Sequence, residues 1–190
     1  MKIATVGLDL AKSVLQVHAV DSQGHLVARK QLRRTEVLQY FAKLEPCVVG
    51  MEACGSSHYW GRELAKLGHT VRLIAPQFVR PYVKSNKTDA ADAEAICEAV
   101  QRPNMRFVPV NTQAQQTILS LHRARAGLVK SRTALANQIR GLLGEFGIVL
   151  PQGIRLLGQR ATEALSTRDG EHNPTGIRAF HALHLCNDLP

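Results

Sequence analysis

The chain has 190 residues, 45% of them hydrophobic and 21% charged, with a formal net charge of +9 at neutral pH. That length holds one medium α/β core and an extension; with no apolar run near the roughly 20 residues of a membrane span and no signal-peptide pattern, we expect a cytoplasmic protein with no membrane contact. Aromatics at 5% argue against a base-stacking binder of single strands, and Cys47, Cys54, Cys97 and Cys186 include no C-x-x-C pair, which argues against a zinc site or a disulfide framework.

Taken in chain order, Lys2 to Asp9, Val14 to Val20 and His25 to Lys30 are rich in Ile, Val and Leu, and Asp21-Ser22-Gln23-Gly24 is good turn chemistry, so the chain should open with a strand meander. Thr35 is the expected N-cap of a helix reaching Leu44. Beyond Pro46, Cys47 to Met51 reads as a buried strand with Glu52 at its C-terminal end. Ser57 should cap a helix to Leu67 that Gly68 stops, and Thr70 to Ile74 should be the next strand, before Pro76. Strand-helix-strand alternation implies a parallel segment in the sheet. Thr88 should cap a helix over Asp89 to Val100, ended by Pro103.

After Pro109 the pattern becomes one long helix, Thr112 to Phe146. Leu121, Leu128, Leu135 and Leu142 recur every seven residues, and Ile118, Ile139 and Phe146 take the alternate seam position, as in a coiled coil or helical hairpin. Arg125 and Arg132 interrupt that second row, and Gly127, Gly141 and Gly144 weaken the helix. The stripe suits either packing on its own domain or a homo-oligomer seam. Positive charge is concentrated here: residues 101–160 hold Arg102, Arg106, Arg123, Arg125, Lys130, Arg132, Arg140, Arg155 and Arg160 against Glu145 alone. A solvated face is one explanation and a phosphate-bearing partner the other. After Gly153 the sequence is uninformative.

Four acids stand where chemistry would need them. Asp9 ends an apolar strand and Glu52 a buried one, places where a carboxylate is rarely left unless paired, hydrogen-bonded or metal-bound. Asp89 and Asp92 are three apart, hence on one helical face. Singly, Asp9 could be a turn-former, Asp89 a favourable charge at a helix N-terminus and Asp92 a solvated acid. Together they would repel one another unless they held hard cations through oxygen, which favours Mg²⁺ or Mn²⁺ and phosphodiester chemistry, with Lys12 and Lys87 close enough to touch phosphates.

The segments Gly7-Leu8-Asp9-Leu10-Ala11-Lys12, Met51-Glu52-Ala53-Cys54-Gly55, Ala75-Pro76 and Lys87-Thr88-Asp89-Ala90-Ala91-Asp92-Ala93 resemble, in order and spacing, the N-terminal domain of the DEDD transposases of bacterial insertion sequences, a family that includes the pilin-gene DNA invertases. The likeness runs from about Lys2 to Gly153. It implies an α/β, ribonuclease H-like (RuvC-like) mixed sheet flanked by helices over residues 1–110, a basic coiled-coil segment over 111–153, and a tail over 154–190. It further implies that Asp9, Glu52, Asp89 and Asp92 are the catalytic, metal-holding acids, that Arg123, Arg125, Lys130, Arg132 and Arg140 join Lys12 and Lys87 in touching DNA, and that the activity is DNA transposition or site-specific recombination. By analogy with some members, a structured guide RNA is a further expected partner. The family's second domain carries a nucleophilic serine in a small-residue motif, and no such motif occurs here. Ser166 lacks those surroundings, so autonomous transposition is not expected, and the chain reads as the N-terminal part of a transposase, whether a truncated copy, a fragment or a stand-alone domain.

Two other readings stay open: a non-catalytic nucleic-acid-binding and dimerisation module derived from a transposase, and a RuvC-like junction nuclease. A sugar-kinase or actin-like ATPase should repeat its phosphate-binding glycine turn later in the chain, and the sequence has none.

Overall fold

The structure, a computed structural model, describes residues 2–83, 88–154 and 157. Its residues group into two compact units, Met1–Leu119 and Ser120–Pro190. The expected tail, Ser166 and Lys87 lie outside the described residues.

The first unit is built on a six-stranded mixed sheet of order β3-β2-β1-β4-β5-β6. Strands β1 (Thr5–Leu10), β2 (Val14–Val20) and β3 (Leu26–Arg33) form the expected antiparallel meander. The Asp21 carboxylate accepts from the backbone N–H groups of Gln23 and His25 and so closes the second turn. Strands β4 (Val48–Glu52) and β5 (Thr70–Ile74) then run parallel to β1. Parallel neighbours need crossovers, supplied here by α1 (Val37–Phe41) before β4 and α2 (Ser57–Lys66) before β5. The sequence reading missed three elements: α3 (Pro76–Val79), which starts on Pro76, the 3-10 turn Arg80–Tyr82 that follows it, and the two-residue β6 (Phe107–Val108), antiparallel to β5. None is long enough to show a period.

Two caps differ from expectation. Helix α1 is capped at Glu36 rather than Thr35, and the Glu36 carboxylate reaches back to accept from the Arg33 N–H at 2.8 Å. Ser56, not Ser57, precedes α2; the Ser57 hydroxyl is buried and bonds both the N–H and the C=O of Cys54, closing the loop after β4. The Thr88 cap of α4 (Asp89–Val100) is as expected, its hydroxyl accepting from Ala91 N–H at 3.2 Å.

Side-chain alternation gives the sheet two covered faces. Val6, Leu8, Leu15, Val17, Val49 and Met51 turn to the side of α1 and α2, where Phe41, Trp60 and Leu64 complete the main core. The other side is covered by α4, which packs Ala95, Ile96, Ala99 and Val100 with Ile74 and Val79.

A buried histidine pins the end of the sheet remote from Asp9. His69 Nδ1 accepts from the Cys47 backbone N–H at 3.3 Å, so Nε2 carries the proton and donates to Phe41 O at 3.1 Å. Cys47 itself is no nucleophile, because burial pushes its thiol up to about 11. Replacing His69 by alanine leaves a buried N–H without a partner and should lower the unfolding free energy by about 2 kcal/mol in urea titrations.

Helix α5 (Gln113–Gly144) starts on a reciprocal cap: Thr112 Oγ1 accepts from Gln115 N–H while Gln115 Oε1 accepts from Thr112 N–H. Its first residues are anchored within the first unit, since His58 Nδ1 accepts from Asn111 N–H at 3.1 Å and Arg62 donates to Asn111 O at 2.9 Å. In the second unit the seam leucines Leu121, Leu128, Leu135 and Leu142 are all exposed, Leu128 by 73%. Leu143 and Ile148 are buried there, with Ile139 and Leu150 packed on them. Among the described residues, no helix is long and apolar enough to cross a membrane.

Candidate metal centre

Three of the four expected acids meet. One carboxylate oxygen each from Asp9, Asp89 and Asp92 lie within 4.8 Å of one another. Opposite ligands of an octahedral magnesium ion stand about 4.2 Å apart at Mg–O distances of about 2.1 Å, so these oxygens need only small side-chain adjustments to share one ion. The donor set, all carboxylate, suits a hard divalent cation and not zinc.

The local reason is how closely α4 lies on the sheet. Gly7 and Gly50 are register partners on β1 and β4. A Cβ on Gly7 would sit 2.1 Å from the carbonyl oxygen of Ala93 and 2.5 Å from the backbone nitrogen of Cys97, and one on Gly50 would meet Val100 at 2.9 Å. Asp9 is two residues beyond Gly7 and so faces the same side. Ala93 lies against Gly7, one turn after Asp89, so the first turn of α4 arrives beside Asp9. The N-terminus of a twelve-residue helix also favours the charges of Asp89 and Asp92.

Glu52 stands outside the trio. It shares the Asp9 side of the sheet by alternation, but the β1–β4 ladder ends at Leu8 and Met51 while β4 stays paired to β5 as far as Glu52 and Ile74, so the strands part at the two acids. The helix also runs diagonally: its last residue, Val100, lies over β4, whereas its first turn lies over β1. Glu52 is still close enough to be felt. Burial, then the charges of Asp92 and Asp89, push the Asp9 carboxyl up to about 6; the Leu10 N–H pulls it back and Glu52 adds the smallest upward push.

Lys12 is exposed on the turn between β1 and β2. Sequence reasoning missed the residue that holds this turn: Arg34 donates to Ala11 O at 3.2 Å and to Lys12 O at 3.5 Å, with its guanidinium 5.3 Å from the Trp60 ring centre. A basic residue just past a strand gives no sequence signal of such a role. Among the expected contacts on α5, Arg123, Arg125, Lys130 and Arg132 are exposed. Arg140 is committed otherwise, donating to Pro151 O at 3.1 Å, Asn137 Oδ1 at 3.1 Å and Gly153 O at 2.6 Å, and so ties down the chain that follows the helix.

The central strand and covering helix of this α/β domain bring three aspartate carboxylates to one point, an oxygen-donor cluster of a size that could hold a divalent cation. The chain belongs to the DEDD transposase family of the IS110 type, whose model matches residues 6–148. It is 59% identical over 165 residues to a Pseudomonas aeruginosa protein described as a "probable family 20 transposase", covering 87% of this chain and 48% of that one. It is 45% identical over 192 residues to the transposase for insertion sequence element IS1328 of Yersinia enterocolitica (98% and 57% covered), and 44% identical over 182 residues to that for IS1111A of Coxiella burnetii (96% and 50%). The chain thus spans about half the length of the curated relatives it matches. Among solved structures, T. thermophilus RuvC in complex with Holliday junction substrate aligns with 57% of this chain and 100% of its own at a TM-score of 0.41 and 11% identity.

Proposed function

We propose that this chain is the metal-dependent, DNA-acting part of a transposase, built on a ribonuclease H-like (RuvC-like) sheet, with Asp9, Asp89 and Asp92 as ligands of Mg²⁺ or Mn²⁺. The observation that carries the reading is the convergence of three carboxylate oxygens within 4.8 Å; an opening meander, parallel crossovers and family membership support it. When bound, such ions supply Lewis acidity for water or a 3′-hydroxyl attacking a phosphodiester. Glu52, on the correct side of the sheet and felt at Asp9, is the fourth acid, placed to complete the site once a cation draws the carboxylates together. Lys12 offsets phosphate charge beside them. Along α5, Arg123, Arg125, Lys130 and Arg132 provide the wider nucleic-acid surface, and the exposed leucine row is the seam for a second copy.

The test is Mn²⁺ binding by calorimetry together with Mn²⁺-dependent nicking of supercoiled DNA. Wild-type protein should bind and nick, Asp92→Asn should lose both, and Glu52→Gln should bind about tenfold more weakly. Mn²⁺ binding without nicking would favour a metal-holding module that binds nucleic acid without cutting it. A wild-type chain that takes up no Mn²⁺ at millimolar concentrations would overturn the proposal. For the helix, replacing Arg123 and Lys130 together should lower the salt-dependence slope of duplex DNA binding by about 2, at about 0.9 per phosphate contact. An unchanged slope would return that face to plain solvation, and the same titration with structured RNA tests the guide.

A further inference from the structure

From the acids, a row of polar side chains crosses the open side of the meander. Asp9 pairs with Gln16 on β2, and Gln16 pairs with Gln31 on β3. Register partners share a side of the sheet, as do residues two apart on one strand. Gln16, Gln31 and Arg33 therefore stand on the Asp9 side, which Gly7 shows to be the side covered by α4. That helix begins at the level of Asp9 and runs away from this end, back over Gly7 toward Gly50. Gln16 is half-buried, and Gln31 and Arg33 are exposed. Among the described residues none of the three side chains has a hydrogen-bond or ionic partner; Arg33 is engaged only through its backbone. Farther along the same side of β3, Arg29 is tied to Glu94 at 2.7 Å.

We propose that Gln16, Gln31 and Arg33 form a track that seats the sugar-phosphate backbone of DNA as it leaves the metal centre toward the β3 edge; this rests on the reading of the acids given above. Amides and guanidinium groups are ordinary phosphate ligands that carry no sequence information. Two strand spacings of about 4.8 Å and two residues of about 3.4 Å separate Arg33 from Asp9, about 12 Å between Cα atoms. With a rise of about 3.4 Å per nucleotide and the winding of the strand, successive phosphates lie about 6–7 Å apart, so a strand with one phosphate at the acids places another, about two nucleotides away, beside Arg33. The need for such a seat is electrostatic, because clustered carboxylates repel a polyanion from the point where it must bind. At β3's exit the Glu36 carboxylate is held by the Arg33 backbone N–H.

The neighbouring Lys30 provides an internal control, carrying the same single positive charge, one strand residue away from Gln31, and on the other side of the sheet, 5.3 Å from the Tyr40 ring centre. Duplex DNA binding is measured by anisotropy across a salt series with Mg²⁺ present, and Mn²⁺ binding is measured on each variant. Arg33→Ala should lower the slope of log affinity against log salt by about 0.9. Gln31→Glu should weaken binding about tenfold, Lys30→Ala should leave the slope unchanged, and all three should bind Mn²⁺ as wild type does. Equal losses for Lys30→Ala and Arg33→Ala, or none for either, would overturn the track while leaving the metal centre intact. A wild-type chain that binds neither Mn²⁺ nor DNA overturns both readings.

Discussion

Replacing Asp9 by asparagine should stabilise the metal-free protein at neutral pH and abolish the stabilisation that Mn²⁺ gives. Folding drives the Asp9 carboxyl from its ordinary value of 3.8 up to about 6, through burial and the charges of Asp92 and Asp89. Between those values the native state holds a proton that the unfolded chain has released, so stability falls as pH rises from about 4 to about 6 and then levels off. A shift of this size corresponds to about 3 kcal/mol; solvent screening of a half-buried group reduces that to about 1 kcal/mol, which Asp9→Asn should recover at pH 7. With Mn²⁺ present the order reverses. The ion needs all three carboxylates ionised, so its contribution to the melting temperature should grow as pH rises through 6 and be absent in the variant. Melting curves at pH 5 and 7, with and without Mn²⁺, give all eight values. A wild-type protein equally stable in metal-free buffer at both pH values, or an Asp9→Asn protein still stabilised by Mn²⁺, would show that Asp9 is an ordinary structural acid.

How much of this was legible in the sequence depended on the range of the interaction. Strand alternation, the Asp21 turn and the Thr88 cap are local, and each was found where the residues put it. Caps slipped by one residue at Glu36 beside Thr35 and at Ser56 beside Ser57, where neither N-cap residue bonds the helix through its side chain. The meeting of Asp9 with Asp89 and Asp92 was inferred from strand ends and helix spacing, yet the same logic brought Glu52 fully into the group. What it lacked was the diagonal of α4 and the parting of β1 from β4, features of packing that have no local signature. Arg140 illustrates the same limit. Its charge is plain in the sequence, but its three carbonyl and amide partners are visible only once the chain after α5 has turned back.

The second large effect is expected at a residue with no side chain. Gly7→Ala should cost about 3 kcal/mol, the upper end for overpacking, because the added carbon would lie 2.1 Å from a helix carbonyl and 2.5 Å from a helix nitrogen, and backbone cannot rotate aside as a side chain can. Gly50→Ala meets only the side chain of Val100 at 2.9 Å and should cost about 1 kcal/mol. The pair separates stability from function. Gly7 lies two residues from Asp9 and under the turn of α4 that follows Asp89, so relieving its clash means lifting the end of the helix that carries Asp89 and Asp92; Gly50 lies under the far end. Under conditions where both variants are folded, Gly7→Ala should bind Mn²⁺ at least tenfold more weakly than wild type and Gly50→Ala within about twofold. A cluster of acids that bound metal through flexibility alone would show no such difference. If both variants bind Mn²⁺ like wild type, the close seating of α4 contributes to the core and has no part in presenting the carboxylates.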